Sequence, residues 1–497
     1  MENPTTIFIS AYRNFSIRYI LYSDIFKELK KTGARIVVFL KDKNVDYYRK
    51  TLSDKNIIIE PIFWDQSLRL LKENRINVFF NLVRRFISGS DNKHNNTTDN
   101  IMAYQTGKEF NHSLLSIIKF KTIKTLSALG KKNKLFRKLL IKIESVLSSG
   151  KLYDQYFKKY KPSSLIISSI GYMIDPFFMR AAKRHKCKVV SIIHSWDNPT
   201  TKGYRGSDPD HVIVWNEIMK HEVEIFHDIS EKNIFIGGIA HWDSYFNGKF
   251  KPLPKEKFLK MNNLSSDKKI IFFGTSNYKI FHNTFDVIEN LLNAISKGKM
   301  NCPTQLIVRL HPEYLASQNG KKSQVVENYY ERMENIKKNY EGLISFNLPM
   351  MKFLEDDIDM PVEDMHHLAN ILYYSDVLLT EYSTLAIEAA IFNLPIINVG
   401  LYNYRDTSKP ASYIENFTHI RRLLKTGATR NAYNYEQLYN FINLYLEDRS
   451  NDEDKRRQLK NQEITTNAGN AGIMIGRYLN KIITSNSQEK INEHFNN

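Results

Sequence analysis

Short apolar runs rich in Ile, Val, Leu and Phe alternate with longer amphipathic stretches through the first half of the chain. Each short run predicts a strand, and the amphipathic stretches between runs predict helices, for example at 16–31. This alternation is typical of βαβ units around a parallel sheet. Eight strands are predicted here, at residues 6–10, 35–40, 57–60, 77–81, 165–169, 188–193, 211–215 and 234–237.

The same alternation restarts after an interruption near residue 250. The segment 251–254 reads Lys-Pro-Leu-Pro and 262–266 is polar, and both break the periodicity. Further strands are predicted at 269–273, 305–310, 343–346, 377–380 and 395–399. We therefore expect two α/β domains. The predicted parts are residues 1–250, a linker at 251–267, a second domain at 268–450, charged and apolar helices at 451–484 and a polar tail at 485–497.

One segment of the first domain, residues 113–150, departs from the βαβ rhythm. It carries nine Lys or Arg residues and a single acid, Glu144, and its apolar residues recur at helical spacing. We predict one or two basic amphipathic helices inserted into the domain. Two interpretations stay open: contact with an anionic membrane surface, or packing on the domain with a solvated basic face.

Composition narrows the class of protein. The 497 residues carry a net charge of +18, which favours anionic partners such as phosphorylated substrates or lipid headgroups. The two cysteines, Cys187 and Cys302, lie far apart without a CxxC or Cys/His spacing, which disfavours both a zinc site and a disulfide framework. The N-terminus has no signal-peptide pattern, and no run of about 18 apolar residues occurs. We expect a cytoplasmic protein.

The first candidate site follows the predicted strand 305–310. Arg309 and His311 stand where this strand ends, and Pro312 stops it. Ligands of α/β proteins bind at the carboxyl ends of parallel strands. His311 is a candidate donor to a phosphate oxygen of a departing nucleotide, although a histidine that merely caps a strand is the plain alternative.

A second polar motif follows the predicted strand 377–380. Ser383 and Thr384 open a helix, so their hydroxyls and the free backbone N–H groups there favour an anion. The alternative is that Ser383 is an ordinary helix cap. Glu388, one turn further on, is a candidate partner for a ribose hydroxyl or a solvated charge.

These two motifs, in this order, resemble those of GT-B glycosyltransferases with a His-Pro motif and a later Ser-Ser/Thr motif. Bacterial sialyltransferases and Kdo-transferases belong to that group, and the CDP-glycerol glycerophosphotransferases of teichoic-acid synthesis are similar. The resemblance implies a GT-B-like α/β fold: two Rossmann-like parallel-sheet domains, an interdomain cleft and a C-terminal crossing helix. It also implies that His311, Ser383 and Thr384 contact the donor's phosphates, with Arg309 beside them.

In such a fold, the loop after the predicted strand 188–193 would face the cleft and supply a general base for the acceptor hydroxyl. The loop resembles the Trp-His-Gly-Thr-Pro-Leu-Lys pattern of the glycerophosphotransferases, but no histidine follows Trp196. The base is therefore open between Asp197, which matches the aspartate of GT-B sialyltransferases, and His194. Lys202 and Arg13 are candidates to hold an acceptor's anionic group.

We therefore expect a metal-independent, inverting glycosyltransferase of surface-polysaccharide biosynthesis, using a nucleotide-sugar donor and a glycan or lipid-linked acceptor. Alternatives are a glycerophosphotransferase, a UDP-sugar 2-epimerase, or a basic RNA-binding or membrane-associated scaffold. The chain contains no nucleic-acid-binding signature, so no nucleic acid is expected. No cofactor or metal is expected, because the acidic and histidine cluster at 363–367 favours a helix N-terminus. Peripheral attachment to the inner face of the cell membrane is a further expectation.

Overall fold

The chain divides into two compact units, one formed by residues 1–243 with 464–497 and the other by residues 244–463. Each unit contains one parallel sheet with helices packed on it, which confirms the predicted α/β class. The computed structural model describes residues 5–88, 97, 114–148, 151–315, 317–318, 321–322, 324–355, 358–401 and 411–495. The ends of the predicted insertion, at 113 and 149–150, lie outside the described residues, as do the last two residues of the predicted tail.

The sheet of the first unit has seven parallel strands in the order β3-β2-β1-β4-β5-β6-β7. Its strands are apolar on both faces, because helices cover each side of a parallel sheet. The chain builds outward from β1 in one direction and, from β4 on, in the other, so the strand order reverses between β1 and β4. The strands are β1 (Thr6–Ser10), β2 (Arg35–Leu40), β3 (Ile57–Pro61), β4 (Ser164–Ile167), β5 (Lys188–Ile192), β6 (His211–Val214) and β7 (Ile234–Ile236).

Helices connect these strands. A π-helix at Ile17–Leu21 and 3-10 turns at Asp42–Asn44, Lys151–Tyr153, Glu231–Asn233 and Ala240–Trp242 accompany them. The α-helices are α1 (Asn14–Ser16), α2 (Asp24–Lys30), α3 (Val45–Thr51), α4 (Trp64–Lys72), α5 (Arg75–Phe86), α6 (Leu114–Lys132), α7 (Lys134–Leu147), α8 (Asp154–Tyr160), α9 (Asp175–Arg184), α10 (Asn198–Thr201) and α11 (Glu217–His227). A further short helix, α12 (Asp243–Phe246), begins at the last residue of the first segment of this unit and continues into the second unit.

The strand predicted at 77–81 is wrong, because this segment lies inside α5. Asn74 caps the helix by accepting hydrogen bonds from the Ile76 and Asn77 backbone N–H groups, at 3.1 Å each. The buried positions Asn77, Phe80 and Val83 recur every three residues. A short apolar run of this length does not by itself distinguish a strand from a buried helix.

The basic insertion forms two helices, α6 and α7, as predicted. Asn133 separates them and caps α7, because its side chain accepts the Phe136 N–H at 3.0 Å. The face of α7 that packs on the unit consists of Arg137, Leu140, Ile141 and Glu144. The apolar residues Leu135, Leu139, Ile143 and Val146, which recur at helical spacing in the sequence, lie on another face of α7.

The sheet of the second unit has six parallel strands in the order β12-β9-β8-β15-β16-β17. Its strands are β8 (Lys269–Gly274), β9 (Thr304–Arg309), β12 (Ile344–Asn347), β15 (Val377–Thr380), β16 (Ile396–Val399) and β17 (Thr429–Ala432). Two small antiparallel pairs lie outside it, β10 (Ser317–Gln318) with β11 (Lys321–Lys322) and β13 (Lys352–Phe353) with β14 (Ile358–Asp359).

The predicted linker at 251–267 contains a helix that packs within the second unit. Phe258 of this helix is fully buried, and its ring stacks on Tyr374 with centroids 4.7 Å apart. The helices of this unit are α13 (Lys255–Met261), α14 (Thr284–Ser296), α15 (Gln324–Asn339), α16 (Val362–Tyr374), α17 (Leu385–Ile391), α18 (Thr418–Lys425), α19 (Tyr435–Glu447) and α20 (Glu453–Glu463), with 3-10 turns at Pro312–Tyr314 and Ala411–Asn416.

The last helix, α21 (Ala471–Phe495), belongs to the first unit and extends into the segment predicted as a tail. The carboxylate of Asp243 accepts the backbone N–H groups of Ala471 and Gly472. Close packing on α2 depends on Gly476, because a Cβ at this position would lie 2.3 Å from the Cβ of Glu28. Among the described residues no helix combines the length and apolarity needed to cross a membrane.

Candidate functional site

The two motifs of the second unit lie at the same edge of its sheet. Gly274, the last residue of β8, pairs with Arg309 of β9 on one side and with Thr380 of β15 on the other. The loops that follow these three strands therefore lie side by side. Since parallel strands are about 4.8 Å apart, the ends of β9 and β15 are roughly 10 Å apart, with the β8 loop between them.

His311 has a fixed orientation in this group of loops. Its backbone N–H donates to the Thr275 hydroxyl at 2.9 Å, and its Nδ1 accepts the Glu313 backbone N–H at 3.2 Å. A ring nitrogen that accepts an N–H carries no proton, so the proton of the neutral ring is on Nε2. Burial lowers the pKa of His311. The side chain is thus a neutral imidazole that offers one N–H donor, from Nε2.

Arg309 is turned into its own unit. Arg309 is 8% exposed, and its guanidinium donates to Asn347 and, at 2.6 Å, to the carboxylate of Asp364. Asp364 also accepts the Met350 backbone N–H at 2.7 Å, so this residue of α16 ties the end of β9 to the loop after β12. The described contacts of Arg309 are therefore structural. Its contact with a phosphate stays a prediction.

The Ser383–Thr384 pair follows a turn in which Tyr382 has a positive φ of 51°. The Ser383 hydroxyl accepts the Leu385 N–H at 3.1 Å, as a helix cap does. Thr384 is the residue before α17, and its side chain makes no capping hydrogen bond. Helix α17 has only seven residues, so the candidate anion-binding groups are the two hydroxyls and not the helix dipole.

Glu381 is a site residue that the sequence analysis missed. It is buried, and its carboxylate accepts the Ser276 backbone N–H at 2.6 Å and the Thr284 hydroxyl at 2.8 Å. It thereby joins the β15 loop to the β8 loop. The signal for it in the sequence is an acidic residue directly after a buried strand.

Glu388 lies on α17 and is half-buried. Its Oε2 accepts the Tyr245 hydroxyl at 2.9 Å within the same unit. The predicted contact of Glu388 with a ribose hydroxyl stays a prediction, and Tyr245 holds the carboxylate in place for it.

The acidic and histidine cluster at 363–367 lies in the first turns of α16. Asp364 is engaged by Arg309, and His367 lies 3.4 Å from the side-chain nitrogen of Asn347. Within the described part of the chain, no three His, Cys, Asp or Glu side chains are grouped as a metal site requires.

In the first unit, residues after β1, β4 and β5 come together around one tyrosine. These strands are neighbours in the sheet, so their carboxyl ends are adjacent. The Arg13 guanidinium lies 4.4 Å from the centre of the Tyr172 ring, and the Lys202 ammonium lies 5.9 Å from the same ring. Arg13 also pairs with the buried Asp175 at 3.0 Å. The two predicted acceptor residues are thus brought together, by a tyrosine that the sequence analysis did not identify.

Asp197 organises its own loop. Its carboxylate accepts the hydroxyls of Ser195 and Thr201, at 2.5 and 2.8 Å, and lies 3.4 Å from the Lys202 ammonium. The charge of Asp197 is the main cause that raises the pKa of Lys202. Much of the hydrogen-bonding capacity of this carboxylate is therefore used within the loop.

His194 is the other candidate base. It is 5% exposed and packs against Phe15, with ring centroids 5.2 Å apart. Burial, with a further contribution from the charge of Arg13, lowers the pKa of His194 to about 3. The ring is thus neutral at physiological pH. Its Nδ1 has no hydrogen-bond partner among the described residues.

Known structures share this pair of sheets along nearly the whole chain. UDP-GlcNAc 2-epimerase from Neisseria meningitidis, bound to UDP-GlcNAc, has a TM-score of 0.52 at 12% identity, over 96% of this chain and 100% of that chain. A putative UDP-N-acetylglucosamine 2-epimerase from Listeria monocytogenes has a TM-score of 0.51 at 11% identity, over 98% and 97%. The chain has the GT-B fold.

The wall teichoic acid polymerase TagF is a further similar structure, with a TM-score of 0.47 at 10% identity, over 98% of this chain and 91% of that chain. At such low sequence identities, the similarity between this chain and these proteins shows a shared fold alone. No protein-family model matches the chain, and no curated protein is similar to it in sequence.

Proposed function

We propose that this GT-B protein is a glycosyltransferase of surface-polysaccharide biosynthesis, which transfers a sugar from a nucleotide-activated donor to a glycan or lipid-linked acceptor with inversion and without a metal. The observation that carries the proposal is the pair of polar clusters, one at the carboxyl edge of each sheet. The cluster around His311 suits the donor. The cluster around Tyr172, with Arg13 and Lys202, suits an acceptor that bears an anionic group.

The donor half acts on the leaving group. His311 donates its Nε2–H to a phosphate oxygen, and the hydroxyls of Ser383 and Thr384 donate to others. The anomeric carbon–oxygen bond breaks with its electron pair left on the phosphate, so these donors stabilise the charge that develops. Arg309 supports the end of β9, and Glu388 accepts a ribose hydroxyl.

The acceptor half supplies the nucleophile. A hydroxyl oxygen of the acceptor forms a bond to the anomeric carbon from the opposite face, and its proton passes to Asp197 or His194. His194 is neutral and its Nδ1 has no hydrogen-bond partner among the described residues, but its pKa of about 3 makes it a weak base. Asp197 carries the negative charge but is occupied by Ser195, Thr201 and Lys202. Arg13 and Lys202 would hold the acceptor's anionic group.

The decisive experiment begins with the donor. Purified protein is incubated with UDP-, CDP-, CMP- and GDP-linked donors, and those that raise the melting temperature are then assayed for transfer to glycan and lipid-linked acceptors. His311→Ala should lower transfer by about 100- to 1,000-fold, which is the effect of losing one preorganised donor. The control is His221→Ala, since His221 is a solvent-exposed histidine on α11. Full activity of His311→Ala, with the control also active, would remove His311 from the mechanism.

A UDP-sugar 2-epimerase is the second candidate, because the two structures described above with TM-scores of 0.52 and 0.51 carry that description. An epimerase needs one substrate and no acceptor. Formation of the 2-epimer from UDP-GlcNAc in the absence of acceptor would replace the transferase proposal. Turnover of CDP-glycerol in the donor panel would instead indicate a glycerophosphotransferase. Salt-sensitive binding of nucleic acid, without any response to nucleotides, would argue against an enzyme.

A further inference from the structure

Helix α7 presents an apolar row to solvent. The members of the row recur every three or four residues and lie on one side of the helix. They are Leu135 (77% exposed), Leu139 (55%), Ile143 (43%) and Val146 (72%). With successive residues about 100° apart, this row is roughly opposite the buried face that contains Leu140 and Ile141. The helix is therefore apolar on two sides, and only one of them is covered by its own unit.

The buried face fixes how α7 is oriented. Arg137 forms a buried ion pair with Asp228 at 2.6 Å, and Glu144 lies 2.6 Å from a guanidinium nitrogen of Arg180 and 2.9 Å from Nε of Arg84. Rotating the helix to cover the outward row would separate these buried charges, at a large free-energy cost. The exposed row is thus a stable feature of the surface.

The surface around the row is positively charged. Lys134, Lys138 and Lys142 are exposed, about a quarter turn from the row, and none of the three forms an ion pair within the described residues. Glu144 is the only acid between residues 113 and 149, and it is buried between two arginines. On α6, Ile117, Ile118, Lys121 and Lys124 are also exposed. Exposed aliphatic and cationic side chains therefore lie side by side on α7, and neither α6 nor α7 carries an exposed acid.

A neighbouring cleft of about 690 Å³ does not account for these lysines. Lys138 and Lys142 line it, together with four further cationic residues. Those four already have carboxylate partners: Arg180 with Glu144, Lys183 with Asp210, Arg184 with Asp154 and Arg205 with Asp208. Lys138 and Lys142, which have no carboxylate partner among the described residues, lie on the same helix as the apolar row. This arrangement favours binding to an extended anionic surface over binding of a ligand enclosed in the cleft.

We propose that the outward face of α6 and α7 is a docking surface for a bilayer of anionic phospholipid. The side chains of Leu135, Leu139, Ile143 and Val146 enter the boundary between headgroups and acyl chains, while the neighbouring lysines reach the lipid phosphates. Nucleic acid would use the lysines but leave exposed aliphatic side chains without a partner. The inference goes beyond the proposed function and does not depend on it, because docking needs neither donor nor acceptor.

The test is flotation of the full chain with vesicles of pure phosphatidylcholine and with vesicles containing phosphatidylglycerol. Binding is expected only to the anionic vesicles and should weaken at high salt. The triple variant K134Q/K138Q/K142Q should lower the partition coefficient on the order of 100-fold, from about fivefold for each lysine near the surface. The matched control K50Q/K55Q/K72Q removes the same charge from another exposed part of the first unit and should bind like the unaltered protein.

A second variant, Leu135→Ser with Leu139→Ser and Val146→Ser, should bind at least about tenfold more weakly because it loses the apolar contact. Its melting temperature should be unchanged, since these side chains are exposed. Absence of vesicle binding, equal binding to both vesicle types, or an equal loss in the lysine control would overturn the proposal. Displacement of the protein from vesicles by millimolar glycerol phosphate would also overturn it, in favour of a ligand held in the cleft.

Discussion

Replacing Asp364 by alanine tests whether the Arg309 side chain is held by the fold. The change leaves Arg309, which is 8% exposed, with Asn347 as the remaining hydrogen-bond partner of its guanidinium among the described residues, and it removes the acceptor of the Met350 N–H. Breaking a buried ion pair by removing one partner typically costs about 3–5 kcal/mol. For a unit of this size, each kcal/mol lowers the melting temperature by roughly 2–4 °C, so we expect the transition of the second unit to fall by about 10 °C.

Calorimetry is the assay, because two units of one chain can unfold in separate transitions. Glu363→Ala is the matched control: it removes the neighbouring acid of the same helix, which is exposed, and should shift the transition by less than about 2 °C. The double variant Arg309→Met with Asp364→Leu should recover much of the loss, since no buried charge remains. If Asp364→Ala has the same melting temperature as the unaltered protein, this ion pair does not hold Arg309. That result would favour the assignment of Arg309 to a donor phosphate.

Three further outcomes are expected. Gly476→Ala should lower the free energy of unfolding of the first unit, measured by urea denaturation, by about 1–3 kcal/mol. The reason is that the new Cβ would lie 2.3 Å from the Cβ of Glu28. Burial lowers the pKa of His194 to about 3 and that of His227 to about 4. As the pH falls, these histidines therefore take up protons in the unfolded chain before they do so in the folded protein. Stability should therefore fall as the pH drops below about 6.5, by about 2 kcal/mol for each by pH 5, and His227→Gln should flatten that part of the profile. Transfer assays of His194→Ala and Asp197→Asn should show which residue is the base. Loss of the base should lower kcat by about 100-fold or more without changing the affinity for the donor.

The strand predicted at 77–81 is wrong, and the face on which α7 packs stayed open in the sequence, for related reasons. In the first case a short apolar run was compatible with either a strand or a helix, and only the capping of the helix by Asn74 and its burial decided between them. In the second, helical spacing revealed that α7 has an apolar side, but it could not say which side packs. Arg137 and Glu144 occupy the buried face because partners from distant segments, Asp228, Arg84 and Arg180, meet them there.

The candidate site shows the same division. Local pattern alone determined the α/β class, the strands that end at Arg309 and Thr380, and the polar residues that follow them, because these features depend on spacing over a few residues. Tertiary structure decided what each side chain does: Arg309 turns to Asp364, His311 presents Nε2, Glu381 joins two loops, and Tyr172 gathers Arg13 and Lys202. Apart from Glu313, which orients His311 from two residues away, these partners are many residues apart in the chain, and only the order and register of the parallel strands bring them to one edge of a sheet.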